Sequence, residues 1–496
     1  MSSSFAPLDW LIFTAYLFVL IFASYLLAQK KITSSAEFFT AKNSIPTFAA
    51  ALSLVATTQS ATTFLGVPEF AYKHNFTLIG FYLSSLLAVI FVAKFFVPKF
   101  YAIKAVTVYE LLENRFGQSA KQQAGLMFLV GRIMASGARL YIAAIAVSMI
   151  LFLDIELSHI IISISILLVG ALAFTYFGGV RSVIYSDVLQ VVIYVGAGVV
   201  AFYYLYTSLH IMHPWQSLAE LDKLRIIDTS IDGKFSIFGL LGGWLLLNIA
   251  AYGLDQDMSQ RILPCKNKQE ASRSLILSIL ITIPIVLLFL SIGALLFLHY
   301  QNDAIVQNFG GEQITIFMYY ILNEMPDGLK GFVTVGAIAA ALSSTNSVLG
   351  AMSSVAIEDL YKPYKRKHFP QTSEQHFLHA SKVAVVLFAL LLFGMALLSY
   401  FWQRYTQNSL IGFALGVMAF AYTGLLGVYF TLLFTKRGSA KLVPFALGGG
   451  FLSVLAMQKY TFGLQIGYDW QIVIGTVIAF GMMQMGCNTQ RRDDAK

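Results

Sequence analysis

Long apolar runs recur along almost the whole chain, and short polar segments separate them. Each run holds about 18 residues or more, which is enough for a helix to cross the roughly 30 Å hydrocarbon core of a bilayer. The runs lack the two-residue alternation of barrel strands, so their backbone amides must be paired within helices. The pattern predicts an all-α polytopic membrane protein with thirteen spans, near residues 9–29, 46–72, 76–100, 123–153, 157–177, 183–208, 237–260, 271–300, 329–355, 377–400, 408–434, 440–458 and 468–487.

The composition favours one membrane domain over residues 1–496. Hydrophobic residues make up 57% of the chain and charged residues 12%, which is too apolar for a set of soluble domains. No soluble appendage, Ser-rich linker or GxxxxGK[ST] phosphate-binding loop interrupts the pattern, which argues against ATP-driven pumping. The start, MSSSFAPLDW, lacks the basic region of a signal peptide, and we expect the first span to be an uncleaved helix.

Basic residues occupy every second loop between the predicted spans. Loops rich in Lys and Arg stay in the cytoplasm, so the net charge of +8 reports topology and not a nucleic-acid partner. The alternation predicts an inner-membrane protein with its N-terminus outside and its C-terminus in the cytoplasm. Cys265 and Cys487 fall on the cytoplasmic side, where no disulfide is expected. The basic residues concerned are Lys30, Lys31, Lys42, Lys99, Lys104, Arg115, Lys121, Arg181, Arg261, Lys266, Lys268, Arg273, Lys362, Lys365, Arg366, Lys367, Lys436, Arg437, Lys441, Arg491 and Arg492.

Two of the spans carry clusters of small polar side chains at bilayer depth. The second span contains VATTQSATT at 55–63, and the ninth contains ALSSTNS at 341–347. Such residues either join neighbouring helices by hydrogen bonds or line a site for an ion and a solute. Because sodium is a hard cation that prefers oxygen ligands, hydroxyls beside freed main-chain carbonyls would suit it.

Charged residues inside the apolar spans leave further alternatives open. Asp187 is either a helix cap or a partner of Arg181, or it takes part in ion binding. Asp255 and Asp257 either lie in a cytoplasmic cap or mark a broken helix whose polar interior contacts solute. Arg132 and Arg139, seven residues apart in the fourth span, could snorkel, pair with a carboxylate or hold an anionic solute.

Four segments in order resemble those of the sodium/solute symporter family, which includes carriers of sugars, proline and sialic acid. They are SLVATTQSATTFLGVP at 53–68, GGVRSVIYSDVLQ at 178–190, DQDMSQRILPCKN at 255–267 and AALSSTNSVLGAMSSVAIEDLY at 340–361. The resemblance covers nearly the whole chain. It implies the leucine-transporter-like fold, an inverted repeat of five plus five helices, with one extra N-terminal helix.

In that fold the first helix of each repeat is discontinuous, here the spans at 46–72 and 237–260. The resemblance implies an extra helix and loop at 1–45, a first repeat at 46–208, a second at 237–434 and C-terminal helices and tail at 435–496. Solute and ions would bind at mid-membrane between the two discontinuous helices.

The resemblance also implies the residues of these sites. The shared sodium site would use the main-chain carbonyls of Ala56, Gln59 and Ala340 and the hydroxyls of Ser343 and Ser344. A possible second sodium site would use Asp187, Asn346 and Ser347, where an amide stands in place of one hydroxyl. The candidate solute contacts are Thr58, Ser60, Thr63, Arg139, Asp255, Phe420 and Tyr422.

Together these features predict a secondary active symporter that couples inward sodium movement to uptake of a small organic solute by alternating access. An enzyme is not expected, since no HExxH motif appears and the eight His residues lie mostly in loops or near span ends. No cofactor besides the coupling sodium ion is expected. The alternatives are a proton-coupled symporter that uses Asp187 or Asp255, a passive ion channel, and a nutrient sensor that does not transport.

Overall fold

The computed structural model describes residues 5–28, 33–209, 211–230, 233, 235–300, 308–309, 312–313, 315–406, 410–463 and 466–486. Apart from one antiparallel pair of two-residue strands, β1 (Asn308–Phe309) and β2 (Glu312–Gln313), the regular structure in this part is helical. The helices are α1 (Pro7–Ala28), α2 (Ser35–Thr40), α3 (Thr47–Thr58), α4 (Ala61–Lys73), α5 (Ile79–Phe95), α6 (Val97–Ala102), α7 (Glu110–Phe116), α8 (Gln118–Leu151), α9 (Leu157–Ser208), α10 (Pro214–Glu220), α11 (Ile237–Leu241), α12 (Gly243–Gly253), α13 (Gln256–Ile262), α14 (Lys268–His299), α15 (Ile316–Asn323), α16 (Leu329–Ser354), α17 (Lys362–His368), α18 (Glu374–Thr406), α19 (Leu410–Phe434), α20 (Val443–Ala456), α21 (Lys459–Phe462) and α22 (Tyr468–Gln484).

The long helices fit a membrane-spanning bundle. Within the described residues, seven helices are long and apolar enough to cross a bilayer, or nine if each of two bent helix pairs is one span. Shorter apolar helices at Pro7–Ala23, Leu157–Ala173 and Val443–Ala456 lie at three more of the predicted spans, and α22 lies at the last. An all-helical multi-pass protein is therefore confirmed, whereas thirteen crossings remain a prediction.

The fifth and sixth predicted spans both lie in α9, where two helices meet at a kink. The run is interrupted at Gly179, whose φ of +58° lies in the left-handed region that favours glycine. A Cβ atom at this position would lie 2.6 Å from the main-chain oxygen of Phe38. The two helices thus meet at a single residue, and α2 packs against α9 at this point.

The helices enclose a polar centre and expose apolar side chains around it. Leu387, Leu390 and Leu391 on α18 are more than half exposed, as expected for side chains that face lipid. The core helix α16 packs most extensively against α9 and also contacts α3, α4, α8 and α13. The middle of α16 therefore lies beside both bent helix pairs.

Loops that were predicted to share one side of the membrane meet in the structure. Asn43 donates through Nδ2 to the Leu263 carbonyl at 2.7 Å, at the end predicted to be cytoplasmic. At the opposite end, Lys223 donates through Nζ to the Tyr72 carbonyl at 2.7 Å. Near the first contact, Cys265 is buried as a free thiol, and burial raises its pKa to about 11, so it stays protonated. Cys487 lies outside the described residues.

The N-terminal helix is fastened to the start of α16. The carboxylate of Asp9 accepts from the main-chain amides of Gly328 and Gly331, both at 2.7 Å. These amides have no partner within the helix, and a carboxylate at a helix N-terminus also interacts favourably with the helix dipole. Asp9 is fully buried, so α1 acts as a side-chain cap for the core helix.

Candidate functional site

The first bent pair, α3 and α4, is interrupted at Gln59 and Ser60 with a bend of 63°. The amide of Ser60 donates to Thr63 Oγ1 at 2.7 Å, and the amide of Thr63 donates to the Ser60 carbonyl at 2.9 Å. In a continuous helix these two amides would donate to the carbonyls of Ala56 and Gln59. These two local bonds, one to a hydroxyl and one to a main-chain oxygen, draw both amides away from the carbonyls that the family resemblance implies as sodium ligands.

The second bent pair, α12 and α13, is interrupted at Leu254 and Asp255 with a bend of 55°. Asp255 caps α13 by accepting from the Asp257 amide at 2.9 Å, and both carboxylates are buried. The structure thus favours a broken helix over a cytoplasmic cap. At this break the Tyr109 hydroxyl donates to the Leu254 carbonyl at 2.8 Å, while the amide of Asp255 donates to the Ala250 carbonyl.

A buried ion-pair cluster joins the second break to α8 and α19. Arg132 contacts Asp255 at 2.8 Å, and its other terminal nitrogen donates to Asp257. The Tyr422 hydroxyl also donates to Asp255. Of the alternatives for Arg132, the structure selects pairing with carboxylates. Asp255 and Tyr422 bind each other and do not line the cavity described below, where they were expected to contact solute.

Asp187 lies where α3, α9 and α16 meet. Its carboxylate accepts from the hydroxyl of Ser53 at 2.5 Å and from that of Ser343 at 2.7 Å, and it is fully buried. Neither the helix cap nor the pair with Arg181 is found. Arg181 is directed toward Ser44 and Tyr185, and Asp187 lies inside a helix and not at its cap.

The hydroxyls of the two serines predicted for the first sodium site each donate a hydrogen bond to a protein oxygen. Ser343 donates to Asp187, and Ser344 donates to the Ala341 carbonyl at 3.0 Å. A hydroxyl whose proton is used in this way keeps its oxygen lone pairs for a further partner. Both hydroxyls are on α16, which packs against α3 and α4 beside the first break, and Ala340 precedes them on that helix.

The residues predicted for a second sodium site have other partners. The amide nitrogen of Asn346, in the orientation that satisfies its hydrogen bonds, donates to the carbonyls of Leu342 and Ala171 at 3.2 Å each. Ser347 lies 3.3 Å from the Thr57 hydroxyl and accepts from the guanidinium of Arg261.

Arg261 corrects one step of the sequence analysis. It was counted among the basic residues of a cytoplasmic loop, because QRILPCKNK is a basic segment between two spans. In the structure it belongs to α13, is 1% exposed, and lies 3.8 Å from Asp187 and 3.9 Å from Asp257. The preceding helix break carries it into the bundle, where two hydroxyl groups and two carboxylate groups surround its guanidinium.

A cavity of about 110 Å³ lies between the two bent pairs. It brings together Thr58, Ser60 and Thr63 from the first pair with Asn248 and Tyr252 from α12, and Arg139 on α8 completes it. Phe420, predicted as an aromatic wall, instead packs against Phe451 with ring centroids 5.3 Å apart. The aromatic walls are Phe81, Tyr82 and Tyr252. The apolar run at 76–100 gave no sign that Phe81 and Tyr82 would face the cavity.

Arg139 differs from Arg132 although both lie on α8. Its terminal nitrogen contacts the thioether of Met418 at 3.2 Å, and a thioether is only a weak acceptor. Within the described part of the chain it has no carboxylate at ion-pair distance, and it is the one charged side chain among the fifteen that line the cavity. A guanidinium in this position is suited to an anion.

A sequence profile of the sodium:solute symporter family matches residues 38–440, which include both bent pairs, α8 and α16. The chain belongs to the sodium:solute symporter family. Membership confirms the prediction of a secondary active symporter that couples sodium entry to solute uptake.

Individual relatives agree with this assignment. The sodium/sialic acid symporter SiaT of Proteus mirabilis is 28% identical over 486 residues, covering 95% of this chain and 93% of that protein. The human sodium-coupled monocarboxylate transporter 1 is 26% identical over 441 residues, covering 85% of this chain and 66% of that protein. A solved structure of a Na⁺-coupled sialic acid symporter, substrate-bound and outward-open, matches the fold with a TM-score of 0.82 at 23% identity, covering 98% of this chain and 99% of that one.

Proposed function

We propose that this symporter carries a small organic solute with a carboxylate group, and that Arg139 binds this carboxylate between the two bent helix pairs. The observation that carries the proposal is the isolated guanidinium in an otherwise uncharged cavity. Leaving a charge there without a partner is costly, and a bidentate carboxylate would remove that cost. The hydroxyls of Thr58, Ser60 and Thr63 would orient the rest of the solute.

The size of the cavity suggests which carboxylates enter it as it stands. A dry protein cavity of about 150 Å³ accepts benzene. The cavity of about 110 Å³ therefore suits an acid of a few carbon atoms, whereas a sugar acid requires the site to open further. The names of the relatives span both sizes, monocarboxylates and sialic acid, and both solutes share the carboxylate.

For the coupling ion we propose the site formed by the carbonyls of Ala56, Gln59 and Ala340 and the hydroxyls of Ser343 and Ser344. The two carbonyls at the first break lack their helical donors, and the two hydroxyls keep free lone pairs. Five neutral oxygens suit a hard monovalent cation, and Asp187 supplies negative charge behind Ser343. Proton coupling through Asp187 stays the second candidate, because its carboxylate is buried beside this site.

The ion and the solute would be coupled through the same short segment. Residues 56–59 offer carbonyls to the ion, and residues 58–63 offer hydroxyls to the cavity. An ion that fixes the break in one geometry also fixes the solute contacts, which is all that thermodynamic coupling requires. A membrane potential adds roughly 2.3 kcal/mol per charge for each 100 mV as the ion moves inward.

The finer topology belongs to this proposal. We infer thirteen crossings, an external N-terminus, a cytoplasmic C-terminus and an inner-membrane location, with inverted repeats at 46–208 and 237–434 and further segments at 1–45 and 435–496. The bent pair that begins each repeat and the meeting of loops from the same side support this arrangement.

The proposal is tested with a thermal-shift assay on purified protein in sodium chloride or choline chloride. One ligand is lactate, with lactamide as its uncharged analogue. The other is N-acetylneuraminate, with its methyl ester as the uncharged analogue. We expect stabilisation by a carboxylate only with sodium present, and no stabilisation by its uncharged analogue.

The variant Arg139→Gln should abolish the stabilisation by ligand and keep the stabilisation by sodium. The control variant Arg366→Gln, at an exposed position, should keep both. Equal stabilisation of wild type and Arg139→Gln by an uncharged solute would refute the carboxylate assignment. Solute uptake driven by a pH gradient without sodium would favour the proton as the coupling ion.

A further inference from the structure

A second, smaller cavity lies between the proposed ion ligands and the end of the bundle that is predicted to be cytoplasmic. Asn346 and Ser347 line it, and they follow Ser343 and Ser344 by about one turn of α16 toward that end. The cavity measures about 10 Å³, which leaves room for about one water molecule. The route from the ion ligands to this end of the bundle is thus nearly closed.

Polar side chains form the part of this cavity that is nearest to the ion ligands. Gln260 on α13 and Thr175 on α9 lie beside Asn346 and Ser347. Within the described part of the chain, the amide nitrogen of Gln260 is buried and has no hydrogen-bond partner. A buried amide without a partner is costly, and water that entered from this end would supply one. The lining is therefore suited to a passage that becomes hydrated in another conformation.

Two phenylalanines of α2 complete the lining. Phe38 and Phe39 are both buried, and their ring centroids are 5.1 Å apart. The main-chain oxygen of Phe38 lies against the kink of α9 at Gly179, where a Cβ atom would collide with it. Because α2 belongs to the segment that joins α1 to α3, the two rings enter the cavity from outside the long helices. They fill the end of the passage as a plug.

The two ends of α2 are held by different parts of the bundle. At its start, the Ser35 hydroxyl donates to the carboxylate of Glu358 at 2.5 Å, just beyond the end of α16. After its end, the Asn43 side chain donates to the Leu263 carbonyl at 2.7 Å, directly after α13. A shift of the second bent pair relative to α16 must therefore be taken up by the chain between these two contacts.

The chain between these contacts has a strained backbone. Ala41, Lys42 and Asn43 have φ angles of +48°, +55° and +53°, all in the left-handed region. Residues with a Cβ atom enter this region at a cost in free energy, and they do so as single residues and not as runs. Such strain persists only while the surrounding contacts impose it, so the loss of a contact would let the chain relax. The three residues therefore have the properties of a hinge.

We propose that α2 is the inner gate of this symporter. Phe38 and Phe39 close the passage between the proposed ion site and the cytoplasm, and α2 swings away about the hinge at Ala41–Asn43 when the second bent pair moves. The inference rests on the proposed cytoplasmic position of α2, and its test reports that position separately.

The test measures access to the cavity through a cysteine at Val183, a buried residue of α9 that lines it. The full chain carries Val183→Cys, with both native cysteines replaced by alanine. A charged thiol reagent that cannot cross the membrane is added to inside-out or right-side-out vesicles in choline chloride. The double variant Phe38→Ala, Phe39→Ala should be labelled at least about tenfold faster than this parent, from the cytoplasmic face. The control is Phe100→Ala, at a buried phenylalanine on α6 outside the cavity, which should keep the parent's rate.

Two substitutions at the exposed Lys42 test the hinge without changing the core. Lys42→Val and Lys42→Asn both remove the ion pair with Glu37. A β-branched residue strongly disfavours a positive φ, whereas Asn tolerates it. We therefore expect Lys42→Val to be labelled about fivefold faster than Lys42→Asn, because its closed gate is more strained.

Each outcome decides one part of the inference. An unchanged labelling rate in the double variant, folded as judged by its size-exclusion profile, would overturn the role of the two rings. Equal rates for Lys42→Val and Lys42→Asn would overturn the hinge, and this pair decides alone if the double variant does not fold. Labelling from the outer face only would overturn the proposed position of α2 and this inference with it. The proposed ion and solute sites stand or fall separately, because the assay contains neither sodium nor solute.

Discussion

The hydroxyl of Ser343 donates to the carboxylate of Asp187 at 2.7 Å, and this bond joins α16 to α9 beside the first helix break. It fixes the direction of the Ser343 proton and so the direction of its lone pairs. Ser344, one residue further, is fixed in the same way by the Ala341 carbonyl.

Replacing both serines with alanine should remove the response to sodium. The double variant Ser343→Ala, Ser344→Ala loses two ligands, and Asp187 loses a donor whose bond to a charged group is worth about 1.5–3 kcal/mol. We expect sodium affinity, measured by thermal shift against sodium concentration, to fall at least about tenfold. Ser278→Ala is the control, since Ser278 is a buried serine on α14 that donates to the Leu275 carbonyl. Unchanged sodium affinity in the double variant would remove these hydroxyls from the ion site.

Arg132→Gln should lower the thermal stability of the purified protein strongly. Removing one partner of a buried ion pair costs about 3–5 kcal/mol, because the other charge stays behind without compensation. Here two carboxylates, Asp255 and Asp257, would be left. The exposed pair of Arg366 and Glu374 provides the comparison, and Arg366→Gln should cost about 0–1 kcal/mol. If the two variants melt at the same temperature, the buried cluster does not stabilise the fold.

Thr63→Val should weaken sodium and solute binding together. The substitution keeps the shape of the side chain and removes the acceptor for the Ser60 amide, which is then free to return to the Ala56 carbonyl. A helix that closes over the break withdraws that carbonyl from the ion. Thr63→Ser restores the acceptor and should restore both affinities in the thermal-shift assay. A loss of solute binding alone would mean that Thr63 serves only as a solute contact.

Asp9→Ala should destabilise the protein without changing its sodium affinity. The carboxylate caps the first turn of α16 through two main-chain amides, and loss of such a cap costs about 0.5–2 kcal/mol. The proposed ion ligands on α16 begin at Ala340, about two and a half turns beyond Gly331. We expect a lower melting temperature at every sodium concentration with the same half-saturating concentration. A shift in the latter would indicate that α1 takes part in coupling.

The sequence predicted the spans and the two breaks because both depend on local chemistry. The hydroxyls at 57–63 and the capping carboxylate of Asp255 compete with helical hydrogen bonds through contacts that are local in sequence. The sequence does not predict the partners of the buried charges. Asp187 meets Ser53 and Ser343, which are 134 and 156 residues away along the chain, and no local pattern specifies this contact.

The places where the structure differs from the expected positions have the same origin. Arg261 has the sequence surroundings of a loop residue, and only the bend between α12 and α13 turns it into the bundle. Phe420 and Tyr422 lie in an apolar span whose facing direction depends on how α19 packs against α20 and α8. Residue-by-residue transfer from a family could name candidate ion ligands, but it could not show which of them bond to another side chain.

The bond from Tyr109 to the Leu254 carbonyl makes the two interruptions chemically unequal. At the second break a tyrosine hydroxyl donates to the Leu254 carbonyl, whereas at the first break the amides that would pair with Ala56 and Gln59 donate elsewhere. The proposed ion site at the first pair and the ion-pair cluster at the second then differ in side-chain chemistry and not in architecture. The substitution Tyr109→Phe removes the donor to the Leu254 carbonyl. It is therefore the first change to make in engineering a new ion dependence into this carrier.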